Sequence, residues 1–272
     1  MVEPISATAI AAETAEATAT AIEVGTLARN ALEATSVGIN EARREISEKV
    51  LFEGFDKVNE AKRVEELSRF QNQFVETVNE NTSFNKLKTL NKDIQAGGAR
   101  SAKAIRELKK SSNVKGQLGE AWSTANKEGL GNVESQYYYN GGERKLDMLI
   151  DLEQNAKFET ISTDRLGDIY MKPTYLSESQ KAAVEVKNGG LDYLNKEVQN
   201  GHLLEQIKAG KNSAQKSFVE VNMDTFSEML NNSEKAKSII NKINDAGGEL
   251  TVGLPEYEKQ MQYFMNIKEM IK

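Results

Sequence analysis

The chain has no cysteine and a single histidine, His202, among its 272 residues. The first absence removes disulfides, thiolate metal centres and cysteine nucleophiles. The second removes every mechanism that needs two imidazoles. Without cysteine the chain also fits a reducing compartment. No apolar run is long enough to span a bilayer, and Met1-Val2-Glu3-Pro4 lacks the positive start of a secretory signal. The expected location is the cytoplasm of the cell that makes the protein. Positive charge is not in excess either. A net charge of −6 gives no wholesale attraction to a polyanion.

What is present describes a chain able to bury a core, with 28% charged and 39% hydrophobic residues. Its length suits one large domain or two ordinary ones. From Ser6 to about Val50 the sequence is rich in Ala, Thr, Glu and Ile, and small residues recur at helical spacing (Ala7, Ala11, Ala15, Ala19). This reads equally as a frayed helical arm or a docking element. Val58, Val64, Leu67, Phe70, Phe74 and Val78 continue as an amphipathic helix. Leu87, Leu90 and Ile94 mark another, ending at Gly97-Gly98. Nothing before residue 100 looks catalytic. The expected division is therefore an all-α N-terminal domain over residues 1–100, for delivery or partner docking, and a second domain over 101–272.

Charge supports a change of character there. Residues 1–100 carry 12 Lys+Arg against 16 Asp+Glu, whereas residues 101–218 carry 17 against 16. Ser101 to Asn126 reads as helix with a break near Ser111–Asn113, and it includes Glu120 just before Ala121-Trp122. Val133 to Tyr139 reads as a strand, Asn140-Gly141-Gly142 as a turn, and Lys145 to Leu152 as the returning strand. Glu153 to Ser179 is polar and reads as a lid or an insertion. Ala182 to Lys187 is a further strand, Leu191 to Gln215 a helix, and Phe218 to Val221 another strand.

Alternate residues of a strand share a face. Glu185 and Lys187 thus point one way, and Val184 and Val186 point into a core. Asp147 faces away from Leu146, Met148 and Ile150. If these two strands are neighbours, two carboxylates and an amine meet at one spot. Hard cations such as Mg²⁺ take one or two carboxylates together with phosphate oxygens.

An Asp on one strand followed by Glu-x-Lys on a later one resembles the PD-(D/E)XK nuclease superfamily, although Leu146 stands where the family often has Pro. The order of elements over residues 111–222 is similar to the family's αβββαβ core, so the resemblance implies an α+β fold of restriction-endonuclease type with a mixed sheet. It implies that Asp147, Glu185 and the carbonyl of Val186 hold Mg²⁺ or Mn²⁺, with Glu120 bound directly or through water, and that Lys187 positions the attacking water. Gln206 matches a glutamine that some members carry on the second core helix. Members that also carry a tyrosine there would need it at Gly210.

Lys103, Arg106, Lys109, Lys110 and Lys115 form a basic run suited to phosphate contact. The implied activity is metal-dependent phosphodiester hydrolysis, with DNA as the first substrate and RNA as the second. The layout resembles bacterial antagonism toxins of the contact-dependent and secreted-effector kind. That likeness implies delivery into a target cell's cytoplasm, an immunity protein as partner, and an N-terminal arm that docks a delivery apparatus. The competing expectation is a non-enzymatic helical scaffold whose α/β end binds a partner.

Overall fold

In the computed structural model, the described residues are 60–139 and 144–267. The Ala/Thr arm and the Asn140–Gly142 turn lie outside them. Four helices come first: α1 (Glu60–Glu80), α2 (Asn85–Ala96), α3 (Gly98–Lys110) and α4 (Ser112–Lys127). Gly97, at φ 72°, closes α2 and leads directly into α3. Ser111 caps α4 by accepting a hydrogen bond from the Val114 amide.

A mixed sheet of seven strands follows: β1 (Gly131–Tyr139), β2 (Arg144–Leu152), β3 (Ala156–Thr163), β4 (Ile169–Leu176), β5 (Lys181–Lys187), β6 (Lys216–Asn222) and β7 (Gly248–Leu254). They lie in the order β1-β2-β5-β6-β7-β3-β4. β5, β6 and β7 are parallel to their neighbours among themselves, and the remaining pairings are antiparallel. Helices α5 (Leu191–Gln199) and α6 (His202–Ser213) make the crossover between β5 and β6. The single helix expected over 191–215 is broken at Gly201, whose φ of 79° no helix interior accommodates. Helices α7 (Met223–Asn231) and α8 (Ser233–Asp245) connect β6 to β7, and α9 (Tyr257–Asn266) closes the described chain.

β5 is buried on both faces, as expected of a central strand with parallel pairing on one side. Val184 and Val186 belong to a core with Met148, Ile150 and Phe218, against which Trp122 of α4 packs. Ala183, on the other face, packs with Ala209 of α6. Helix α4 therefore covers one face and α6 the other. Gly210 lets α6 sit close, because a Cβ there would come within 2.6 Å of the Ser217 hydroxyl and 3.0 Å of the Ala183 methyl. A tyrosine at 210 would not fit this packing.

Two sequence expectations need correction. Residues 153–179 are no lid: β3 and β4 form a hairpin that extends the sheet beyond β7. Strand β7 accordingly lies inside the sheet, between β6 and β3. The division at residue 100 also fails. Phe74, Val78, Phe84, Leu87 and Leu90 share one core with Leu108, Val114, Leu118, Ala121, Ala125 and Phe264. The compact unit runs from Val58 to Lys272. Trp122 ties this helical core to the sheet, lying 4.8 Å from the ring of Phe70 and 4.9 Å from that of Tyr263. Among the described residues no helix is long and apolar enough to cross a membrane.

Candidate active site

The β2–β5 ladder pairs Asp151 with Lys181 through to Met148 with Val184. Beyond that register the two strands stop pairing, and side chains occupy the opening. The Asp147 carboxylate accepts a hydrogen bond from the Val186 amide at 2.8 Å. The Glu185 carboxylate lies 3.4 Å from the Asp147 amide. Because a strand residue directs its N–H and C=O to the same edge, the Val186 carbonyl faces the same opening. The fork thus holds Asp147, Glu185 and Val186 together.

Lys187 donates to Glu185 at 2.6 Å and lies 3.5 Å from the Gln206 amide oxygen. Gln206 donates in turn to Glu185 at 2.5 Å. All three are buried, Glu185 at 3% exposure and Lys187 at 7%. Helix α6 supplies Gln206, so the glutamine meets the cluster without any tyrosine at 210. Glu120 enters from α4. It accepts a 2.9 Å hydrogen bond from Gln136 on β1 and feels the charges of Asp147, Lys145 and Lys187.

Asp147, Glu185, Lys187, Gln206 and Glu120 are therefore brought together by four separate elements, α4, β2, β5 and α6. The basic run is placed differently. Lys103, Arg106, Lys109 and Lys110 are exposed on α3, whereas Lys115 sits on α4 with its ammonium 4.4 Å above the Tyr257 ring. His202 is exposed and 3.6 Å from Glu197.

Electrostatics follow from burial. Desolvation, with the Asp147 charge adding to it, pushes the Glu120 carboxyl up to about 8 against the opposing pull of Lys145 and Lys187. Desolvation and the Glu185 charge raise Asp147 to about 7. Glu185 is also raised, again mainly by burial. Burial alone would lower Lys187, but the Glu185 and Asp147 carboxylates outweigh it and hold the amine above its ordinary value. Lys187 is therefore held as an ammonium, a hydrogen-bond donor with no basic capacity. Tyr193 of α5, half-exposed at the rim, is raised by burial and lies within the field of Lys187.

Among the described residues no three acidic or histidine side chains form a ready coordination group. The protein's own donors engage these carboxylates instead: Gln136 at Glu120, the Val186 amide at Asp147, Lys187 and Gln206 at Glu185. The donor chemistry nevertheless fits a hard dication, since every available ligand is oxygen. Crowded acids with raised pKa values are also the groups that a cation would stabilise in their charged form.

A pH dependence follows. Asp147 and Glu120 sit at about 7 and about 8 in the fold, above their ordinary 3.8 and 4.5. The metal-free fold binds more protons than the unfolded chain across that interval. The stability that these two groups contribute is fully present below the ordinary values and is lost as the pH rises through about 7 and about 8. Melting temperatures in EDTA should therefore fall between about pH 5 and about pH 8.5, and Mg²⁺ should restore more at the higher pH. A profile in EDTA that is flat over this range would contradict the assignment.

Three contributors escaped the sequence reading. Lys145 shares a strand face with Asp147, two residues away, and parity alone would have placed it. Gln136 faces Asp147 across the hairpin, which a register counted from the Asn140–Gly142 turn would have given. Asn188 follows Lys187 and is held by a buried network, donating to the Lys115 carbonyl at 2.8 Å and the Gln260 side chain at 2.8 Å. Local sequence carries no sign of that network, because the partners of Asn188 lie 73 residues before it and 72 residues after it.

No family model matches the chain, and no curated protein or solved structure matches it.

Proposed function

We propose that the fork between β2 and β5 is the active site of a divalent-metal-dependent nuclease, acting on DNA first and RNA second. The observation that carries this reading is the meeting of Asp147, Glu185 and Lys187 at the point where the two strands part, with Gln206 and Glu120 closing around them. The run of α4, β1, β2 and β5, the crossover through α5 and α6, and β6 parallel to β5 is consistent with the core of the PD-(D/E)XK superfamily.

Asp147, Glu185 and the Val186 carbonyl would hold Mg²⁺ or Mn²⁺, with Glu120 beside them. When bound, such an ion lowers the pKa of a ligated water and offsets charge on a phosphate. The chain's own part is positional. The Val186 amide fixes the Asp147 carboxylate, and Gln206 fixes Glu185 while sharing it with Lys187. The Lys187 ammonium, anchored on Glu185, is placed to orient the attacking water and to stabilise negative charge as the phosphodiester is cut. The exposed cations of α3 supply sequence-independent contact with the backbone of the nucleic acid.

Incubating the purified protein with supercoiled plasmid, linear DNA and RNA, each with Mg²⁺, Mn²⁺ or EDTA, tests this reading. Cleavage of at least one polymer that EDTA stops is the expected result. Intact polymers in every metal condition would leave the fold as a binding scaffold. A bacterial toxin role with an immunity partner is the biological setting we attach to this activity. It rests on the layout of the chain, and the docking role of the arm falls outside the described residues.

A further inference from the structure

Two non-glycine residues among those described have a positive φ, Ser179 at 67° and Gln136 at 56°. Ser179 lies in the turn before β5, where its amide donates to the Leu152 carbonyl. Gln136 is different, because it lies inside strand β1. The β1–β2 register runs from Gly131↔Leu152 to Ser135↔Met148 and resumes at Tyr137↔Leu146, which leaves Gln136 out of the ladder opposite Asp147. Asp147 thus stands between two breaks, one toward β1 and one toward β5.

A glutamine in the left-handed region carries a backbone cost that asparagine or glycine would largely avoid. The side chain indicates what the conformation accomplishes. The Gln136 amide nitrogen donates to the Glu120 carboxylate at 2.9 Å, and its amide oxygen accepts from the Lys145 ammonium. An acid from α4 and a base from β2 are thereby joined through one residue at the mouth of the fork. Strained residues persist where the surroundings fix them, and they gather at sites where the strain has a use.

We infer that Gln136 is a positioning residue of the carboxylate site, its left-handed backbone aiming the amide so that Glu120 is held toward Asp147 and Lys145 is held at the rim. The inference deepens the nuclease reading and rests on the metal-binding part of it. Groups that hydrogen-bond a ligating carboxylate orient it, and their loss typically costs about 10–100-fold in metal affinity or activity. The strand conformation and the amide contact are separable by mutation. Gln136→Asn and Gln136→Gly both suit a positive φ, yet neither reaches Glu120.

The test uses the full chain and reads Mn²⁺ affinity by calorimetry without nucleic acid, the melting temperature, and cleavage. Both variants should melt no lower than wild type, bind Mn²⁺ at least about 10-fold more weakly and cut correspondingly more slowly. In a Glu120→Ala background, Gln136→Asn should have no further effect on Mn²⁺ affinity, because Gln136 acts through Glu120. Unchanged Mn²⁺ affinity in the variants would overturn the inference. So would a second loss of affinity on top of Glu120→Ala, or a lower melting temperature with normal binding. A wild type that binds Mn²⁺ but cuts nothing would refute the nuclease reading alone. One that binds no Mn²⁺ would overturn both.

Discussion

Lys187→Ala is expected to reduce cleavage by about 10²–10³-fold, the range lost when one preorganised donor to developing negative charge is removed. It is also expected to destabilise the metal-free protein. Lys187 and Glu185 are a buried ion pair at 2.6 Å, their side chains 8% and 4% exposed. Removing one partner of such a pair leaves an uncompensated buried charge, at a cost of about 3–5 kcal/mol. Mg²⁺ should recover part of that loss, since a cation at the fork takes over the missing charge. The pairing of Glu185→Gln with Lys187→Met should restore stability without restoring activity, which separates folding from chemistry. Wild-type-like cleavage by Lys187→Ala would mean that another group handles the water. Denaturant midpoints in EDTA and in Mg²⁺, beside single-turnover cleavage, read both effects.

A chain beginning at Ala99 is expected not to fold, whereas one beginning at Val58 is expected to keep its fold and its activity. The shorter chain would lack Phe74, Val78, Phe84, Leu87 and Leu90, each at most 2% exposed. These side chains cover Leu108, Leu118, Ala121 and Ala125, and the last three lie on the helix that carries Glu120. Deleting a single buried Leu or Phe side chain costs about 2–5 kcal/mol. Five together exceed the roughly 5–15 kcal/mol by which a domain is stable. Loss of cooperative melting in the shorter chain and its retention in the longer one is the expected result. A chain from Ala99 that melts cooperatively would restore the boundary at residue 100.

The division at 100 fails for a physical reason that composition could not convey. Phe70, Phe74 and Val78 read correctly as one face of an amphipathic helix, but periodicity gives a face and not its partner. The partner is α4, some 40 residues on, with α9 from the far end of the chain. The site was more legible. Strand parity put Glu185 opposite Val184 and Val186, and the two valines do belong to the core against which Trp122 packs. Gln206 came from the family resemblance alone, and the absence of a tyrosine at 210 counted against it. Gly210 proves to be a packing requirement against Ser217 and Ala183, independent of the glutamine. Residues 153–179 were unreadable because the β3–β4 hairpin exposes much of β4, whose Tyr170, Lys172, Pro173 and Tyr175 lack a clean alternation. The Lys127–Glu220 pair, buried under the sheet and shared with Ser123, was equally invisible, since nothing local marks a charged strand residue as paired.

Whether the fork cuts phosphodiester bonds is tested most directly by comparing wild type with Asp147→Asn, purified identically, on one plasmid substrate in Mg²⁺ and in EDTA. The substitution keeps the size of a side chain that accepts from the Val186 amide while removing a carboxylate from the fork. Mg²⁺-dependent cleavage by wild type, with Asp147→Asn folded but reduced at least about 100-fold and weaker in Mg²⁺ binding, is the predicted result. Equal cleavage by both proteins, or none by a wild type that is folded and saturated with Mg²⁺, would contradict it.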